Sequence, residues 1–139
     1  MNLRISEIDW IAVIAATIIY CAFSGAWHRR FAFGKFWEDA MGFQRPEGWK
    51  ETPAYFIVPS VSCFITSFGI ALLFKPIGVN NLGEAVTLGL VLGIGVGTAV
   101  TFTNAVIPTM RKPLVFGTIT GTAHAIGIVL ATSVQFLLS

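Results

Sequence analysis

Apolar residues run almost unbroken through positions 8–27, 53–74, 82–107 and 113–138, and polar residues gather between these runs. Apart from Asp9 and Glu84, both near the start of a run, no Lys, Arg, Asp or Glu lies inside them. A helix needs about 20 residues to cross a hydrocarbon core of about 30 Å. Within lipid a segment must pair its own backbone N–H and C=O groups, so the pattern predicts four transmembrane helices. The expected fold is all-α: an up-down bundle of four such helices in a single membrane domain of residues 1–139. Between the first two runs the pattern changes. Phe33, Phe36, Trp37, Ala40 and Met41 recur at helical spacing, with Lys35, Glu38 and Asp39 on the opposite side. This predicts a short amphipathic helix over about 33–43, lying in the membrane interface with its rings in the acyl boundary and its charges in water.

Local signals mark the helix ends. Thr52 and Pro53 offer an N-cap and a first helical residue for the second span. Asn81 with Glu84 three positions later has the spacing of a capping box. Pro108 and Pro113 bracket a tight turn, "PTMRKP". Ser24-Gly25-Ala26 could pass for a signal-peptidase site, but Glu7 and Asp9 beside Arg4 do not make a basic leader, so the first run reads as retained.

Composition agrees with lipid as the solvent. Of the 139 residues 55% are hydrophobic and 12% charged, half the charge of an average soluble domain at about 25%. The net charge of +2 gives no reason to expect nucleic acid. Position matters more than total. Arg29, Arg30, Lys35, Arg45 and Lys50 fall between spans one and two, and Arg111 and Lys112 between three and four. Only Arg4 and Lys75 fall on the other side. The positive-inside rule therefore places loops 28–52 and 108–112 in the cytoplasm and both termini outside, in a multi-pass protein of the cell membrane.

The stretch "WHRRFAFGKFW" raises the question of binding. Trp27, Arg29, Arg30, Phe33, Lys35, Phe36 and Trp37 form a membrane-surface collar, which reads first as an anchor in the interface and second as a docking surface for lipid headgroups or a partner. At these residues the sequence resembles domain-of-unknown-function family 1761. In that family a Gly-x-x-Trp-Tyr-Ser-Pro-like segment leads into Phe-Gly-Lys-x-Trp and then Met-Gly. Trp27, Phe33, Gly34, Lys35, Trp37, Met41 and Gly42 fit the pattern, while His28, Arg29 and Arg30 replace Tyr-Ser-Pro. The likeness continues through Glu84, Asn104, the "RKPL" turn and His124. The resemblance implies a four-helix membrane protein and no particular activity.

Gly89, Gly93 and Gly97 in the third span, and Gly117 and Gly121 in the fourth, are spaced by four. Such glycines let two helix backbones approach closely. They follow no strand and no phosphate-loop spacing, so a nucleotide site is not expected. If these spans pack antiparallel, His124 lies level with Gly97, about 16 Å along its helix and near mid-bilayer. Thr101 and Asn104 continue the facing side toward the basic loops. A histidine at that depth is costly in lipid. It reads either as a neutral imidazole bonded to a threonine or carbonyl, or as a proton-handling or ligand-contacting residue. Asn104 reads as an interhelical hydrogen bond.

His28 and His124 differ in depth, Cys21 and Cys63 are isolated, and no carboxylate reaches His124. No metal or cofactor is expected, and catalysis lacks a base and nucleophile at matched depth. Glu38, Asp39, Glu47 and Glu51 read as a solvated face. The expected function is a non-catalytic membrane component, oligomeric or accessory, packing against lipid or a membrane partner through the glycine faces and the collar. The alternative is a small transporter or channel with His124, Asn104 and Thr101 lining a polar path. An intramembrane enzyme ranks last.

Overall fold

The computed structural model describes residues 5–139; Arg4 lies outside them. Every long element is a helix: α1 (Trp10–Trp27), α3 (Ala54–Ile77), the composite Leu82–Ala105, and α6 (Pro113–Leu138). A short helix, α2 (Gly34–Met41), follows α1. Among the described residues there is no strand, and the four long helices are each long and apolar enough to cross a membrane. Large apolar side chains cover the outside: Ile11 is 76% exposed, Val58 61% and Leu114 70%. Water would penalise that surface at about 25 cal/mol per Å², whereas lipid does not. The chain is a multi-pass membrane protein.

The helix ends show where local chemistry overrides hydropathy. The first helix starts at Trp10, not residue 8, because the Asp9 carboxylate accepts the N–H groups of Ile11 (2.9 Å) and Ala12 (3.1 Å). Asn81 caps the third helix by accepting from Glu84 N at 2.9 Å. The returning Glu84 carboxylate takes the N–H of Asn80 at 2.7 Å, one residue earlier than a capping box requires. Thr52 does not cap α3 with its side chain; Pro53 holds the cap position. The helix then runs past residue 74 through Lys75 and Pro76, closing on Gly78 at φ 77°, a left-handed position that favours glycine. The third helix stops at Ala105 rather than 107, since Pro108 has no N–H to continue it.

That third helix is not uniform. Between α4 (Leu82–Leu92) and α5 (Ala99–Ala105), residues Gly93–Thr98 form a π-helical segment. Thr98 Oγ1 lies 3.0 Å from the Gly93 carbonyl and 2.8 Å from the Gly121 carbonyl of α6, spanning the widened turn and fastening it to its neighbour.

The arrangement centres on α6, which packs on α1, α2, α4, the π segment and α5. The glycines make that closeness possible. A Cβ at Gly93 would stand 2.8 Å from Ala125 Cα, one at Gly89 2.8 Å from Val129 Cα, one at Gly121 2.8 Å from Thr98 Cγ2, and one at Gly117 2.7 Å from the Phe102 ring. These four faces are therefore filled by the chain itself. Helix α3 is held differently. It rests chiefly on α1, touches α6 lightly, and makes no substantial packing with α4 or α5. One of its ties to α6 is Gln135 Nε2 donating to the Ser67 carbonyl at 2.7 Å. The Ser67 hydroxyl and the Gln135 side-chain carbonyl are buried there without a partner among the described residues. Further along α3, Lys75 pairs with Glu7 at 2.7 Å, joining the end of α3 to the residues leading into α1.

Candidate functional site: a groove headed by the basic collar

Because α3 stands away from α5, a groove of about 1300 Å³ opens between α1, α3 and the α4–α5 helix, with α6 as its floor. Its mouth lies among Arg29, Arg30, Arg45, Trp49 and Glu51, and its far end reaches Leu73 and Leu92. Pockets for drug-sized ligands occupy about 300–1,000 Å³, so this groove suits something longer.

At mid-depth the floor carries a polar pair. Tyr20 of α1 and His124 of α6 meet with 2.6 Å between Oη and Nδ1, their rings edge-on at 81°. Tyr20 is buried at 3% exposure, and His124 is half-buried and lines the groove. Gly127 makes room for the phenol: a Cβ there would fall on Tyr20 Cδ2 and Cε2. A Cβ at Gly97 would stand 3.3 Å from His124 Cβ, so the imidazole sits over that glycine. Its partner is a phenol, not the threonine or carbonyl expected. Thr101 is buried and its hydroxyl donates back to the Gly97 carbonyl at 2.7 Å, so its proton is not given to His124. Asn104 lines the groove but is exposed and makes no side-chain hydrogen bond among the described residues, so the interhelical bond expected for it is absent. Neither Tyr20 nor Gly127 carries a local sequence signal. Gly127 falls outside the four-residue glycine series, and a lone tyrosine in an apolar run looks like packing.

The collar is built on α6 as well as facing outward. Trp27 Nε1 donates to the Ile119 carbonyl at 3.0 Å, and Trp37 Nε1 donates to Thr120 Oγ1 at 3.2 Å. Trp37 also stacks with Phe116 at 6.2 Å between centroids. Phe31, Phe33 and Phe36 remain exposed, 82%, 39% and 63%. His28 is not one of the collar's charges. Burial holds its pKa below the ordinary histidine value, against the opposing effect of its bond to the Ser24 carbonyl, so it is neutral at pH 7.

Of the acids read as a solvated face, Asp39 and Glu47 are exposed, Glu51 is half-buried and Glu38 is buried. Glu38 is 5% exposed and accepts from Arg45 at 2.6 Å and 2.5 Å, with Arg30 Nε at 3.4 Å. Arg45 in turn lies over the Trp49 ring at 4.5 Å. Arg29 pairs with Glu51 at 2.9 Å. Asp39 binds Lys112 at 2.6 Å and Arg111 at 3.2 Å, while Lys112 N donates to the Ala40 carbonyl at 2.8 Å, docking α2 on the α5–α6 turn. The physical reason is convergence: a short interfacial helix cannot reveal which distant cations will fold over it. Lys35 has no acid partner among the described residues.

The Asp39 contact makes a pH-dependent prediction. The hydrogen bond from Lys112, with the nearby charges of Lys112 and Arg111, holds the Asp39 carboxyl below its ordinary value. A depressed pKa means the contact's stabilisation is complete above the ordinary carboxylate value and fades as pH falls through the depressed one. Hydrogen exchange at the Lys112 amide is therefore expected to stay slow from pH 7 to 5 and to quicken below about pH 4, after correction for intrinsic exchange. Asp39→Asn should remove that step; an identical profile in the variant would refute the assignment.

The model of a family described as "Protein of unknown function (DUF1761)" matches residues 11–136. No curated protein and no solved structure matches the chain.

Proposed function

The chain belongs to the DUF1761 family, whose function is unknown, and on that footing we propose that it is a non-catalytic membrane-embedded binding protein whose groove receives an amphipathic molecule from the bilayer. The observation that carries this reading is the groove itself, lined by apolar side chains of α3 (Phe56, Val58, Ile70) and of the facing Leu82–Ala105 helix (Leu92, Val96, Val100) and headed by ionic ones. Such a lining matches a molecule with an apolar body and one polar end. The arginine-rich loops 28–52 and 108–112 face the cytoplasm and both termini face outward in this reading, supported by the positive-inside bias. A homo-oligomer or a membrane-protein partner would use the outer apolar faces, since Gly89, Gly93, Gly117 and Gly121 are spent inside. Purification in mild detergent followed by lipid extraction should return a near-stoichiometric lipid. Protein that retains no bilayer component under conditions preserving its fold would defeat the reading.

A second reading rests on Tyr20 and His124, a hydrogen-bonding pair opening onto the same groove with Asn104 and Thr101 nearer the mouth. Here the groove is one half of a translocation path. In liposomes, His124→Ala is then expected to abolish substrate flux with the thermal midpoint little changed. Flux equal to wild type would remove His124 from any such path.

A further inference from the structure

We infer that the groove's occupant is an anionic phospholipid of the leaflet beside the basic loops, its phosphate held by Arg30 and Lys35 and its acyl chains lying between α3 and α5. This rests on the groove reading above and names its ligand.

A second hollow of about 380 Å³ adjoins the mouth of the groove, and the two share Arg30, Glu38, Phe43 and Arg45. This hollow is polar and adds Lys35 and Arg111 to the cations around it. The acids here are already engaged: Glu38 by Arg45 and Arg30, and Asp39 by Lys112 and Arg111. Lys35 is left over. Arg30 meets Glu38 through Nε at 3.4 Å, and its outer nitrogens carry no ion pair among the described residues. A guanidinium has five N–H donors, so Arg30 can bind a phosphate oxygen without releasing Glu38. The unmatched charge is thus positive and sits where an acyl groove meets a polar one.

That placement discriminates between ligands. A net-negative headgroup neutralises Arg30 and Lys35. A zwitterionic headgroup brings its own ammonium close to them and gains less. A soluble phosphate satisfies the hollow but leaves the groove without its apolar filling. Anionic lipid attracts a juxtamembrane basic residue by an amount worth roughly a factor of five, so two residues give at most about 25-fold, and about tenfold once the phosphate that a zwitterionic lipid also carries is counted.

The test is native mass spectrometry of the full chain in mild detergent with equal amounts of phosphatidylglycerol and phosphatidylcholine of matched chains. Wild type is expected to carry phosphatidylglycerol about tenfold over phosphatidylcholine. Arg30→Gln with Lys35→Gln should keep a lipid adduct and lose the preference. Arg45 is left intact, because it is the main partner of buried Glu38. Gly69 of α3 and Gly25 of α1 both line the groove, and a Cβ on either meets nothing within 4 Å. Gly69→Phe or Gly25→Phe should therefore obstruct the groove and reduce both adducts while the thermal midpoint holds. Equal adducts of the two lipids on wild type overturn the headgroup assignment and leave the groove standing. Full lipid retention by both phenylalanine variants overturns the groove itself. Displacement of phosphatidylglycerol by equimolar glycerol 3-phosphate would show a free-anion site and overturn the lipid as occupant.

Discussion

Gly127→Ala is expected to destabilise the protein by about 2–3 kcal/mol, although alanine is the better helix former. Overpacking a filled core costs about 1–3 kcal/mol, and loss of a buried hydrogen bond adds about 1 kcal/mol. Against these stands a helix-propensity gain of up to about 1 kcal/mol. The packing terms win because the added carbon falls on two ring atoms of Tyr20, which is buried against α6 and bonded to His124. A ring has no flexible tail to move aside. Either the phenol leaves His124 or α1 leaves α6. Unfolding in detergent micelles measures the cost, and the near-ultraviolet tyrosine signal reports the ring. Gly95→Ala is the control, since a Cβ there meets nothing within 4 Å, and it should cost nothing measurable. In a Tyr20→Ala background the Gly127→Ala penalty should vanish, because neighbours that share a contact are not additive. Equal losses at Gly127 and Gly95 would show that the ring is not the cause.

Glu38→Ala should cost about 2–3 kcal/mol, below the about 3–5 kcal/mol typical of breaking a fully buried pair. The discount reflects its partners, whose side chains are 32% (Arg45) and 55% (Arg30) exposed and keep some water. The visible consequence should be local. Without Glu38, Arg45 loses the contact that sets it over Trp49, so limited proteolysis between residues 43 and 51 should accelerate. Glu47→Ala is the comparison: Glu47 is exposed and has no ion pair among the described residues. Were both variants equally stable and equally resistant, the buried carboxylate would have no structural role.

The two sites differ in how far residue order alone could reveal them. The four long helices are legible because burial in lipid imposes a single crude rule, a continuous run of about 20 apolar residues. Asn81 announces a helix start because a cap acts within three residues. Glu38 was hidden. Its place on the polar side of α2 sent it toward water, and only Arg30 and Arg45, arriving from either flank, make its burial tolerable. The π segment at Gly93–Thr98 is equally silent, since one extra residue in a turn leaves no compositional mark. The groove is the least legible feature of all. It follows from α3 packing on α1 and not on α5, a choice made by side chains far apart in sequence.

The dominance of α6 also has a consequence for biosynthesis. Of the described helices it emerges last from the ribosome, yet α1, α2, α4 and α5 all dock on it. Earlier segments can insert in the bilayer one by one, but they wait there as loosely associated rods until residue 113 and its successors arrive. Closure is thus postponed until α6 has been made, and a chain stalled before that point would present unsatisfied Tyr20 and bare glycine seams to the insertion machinery and to quality-control proteases.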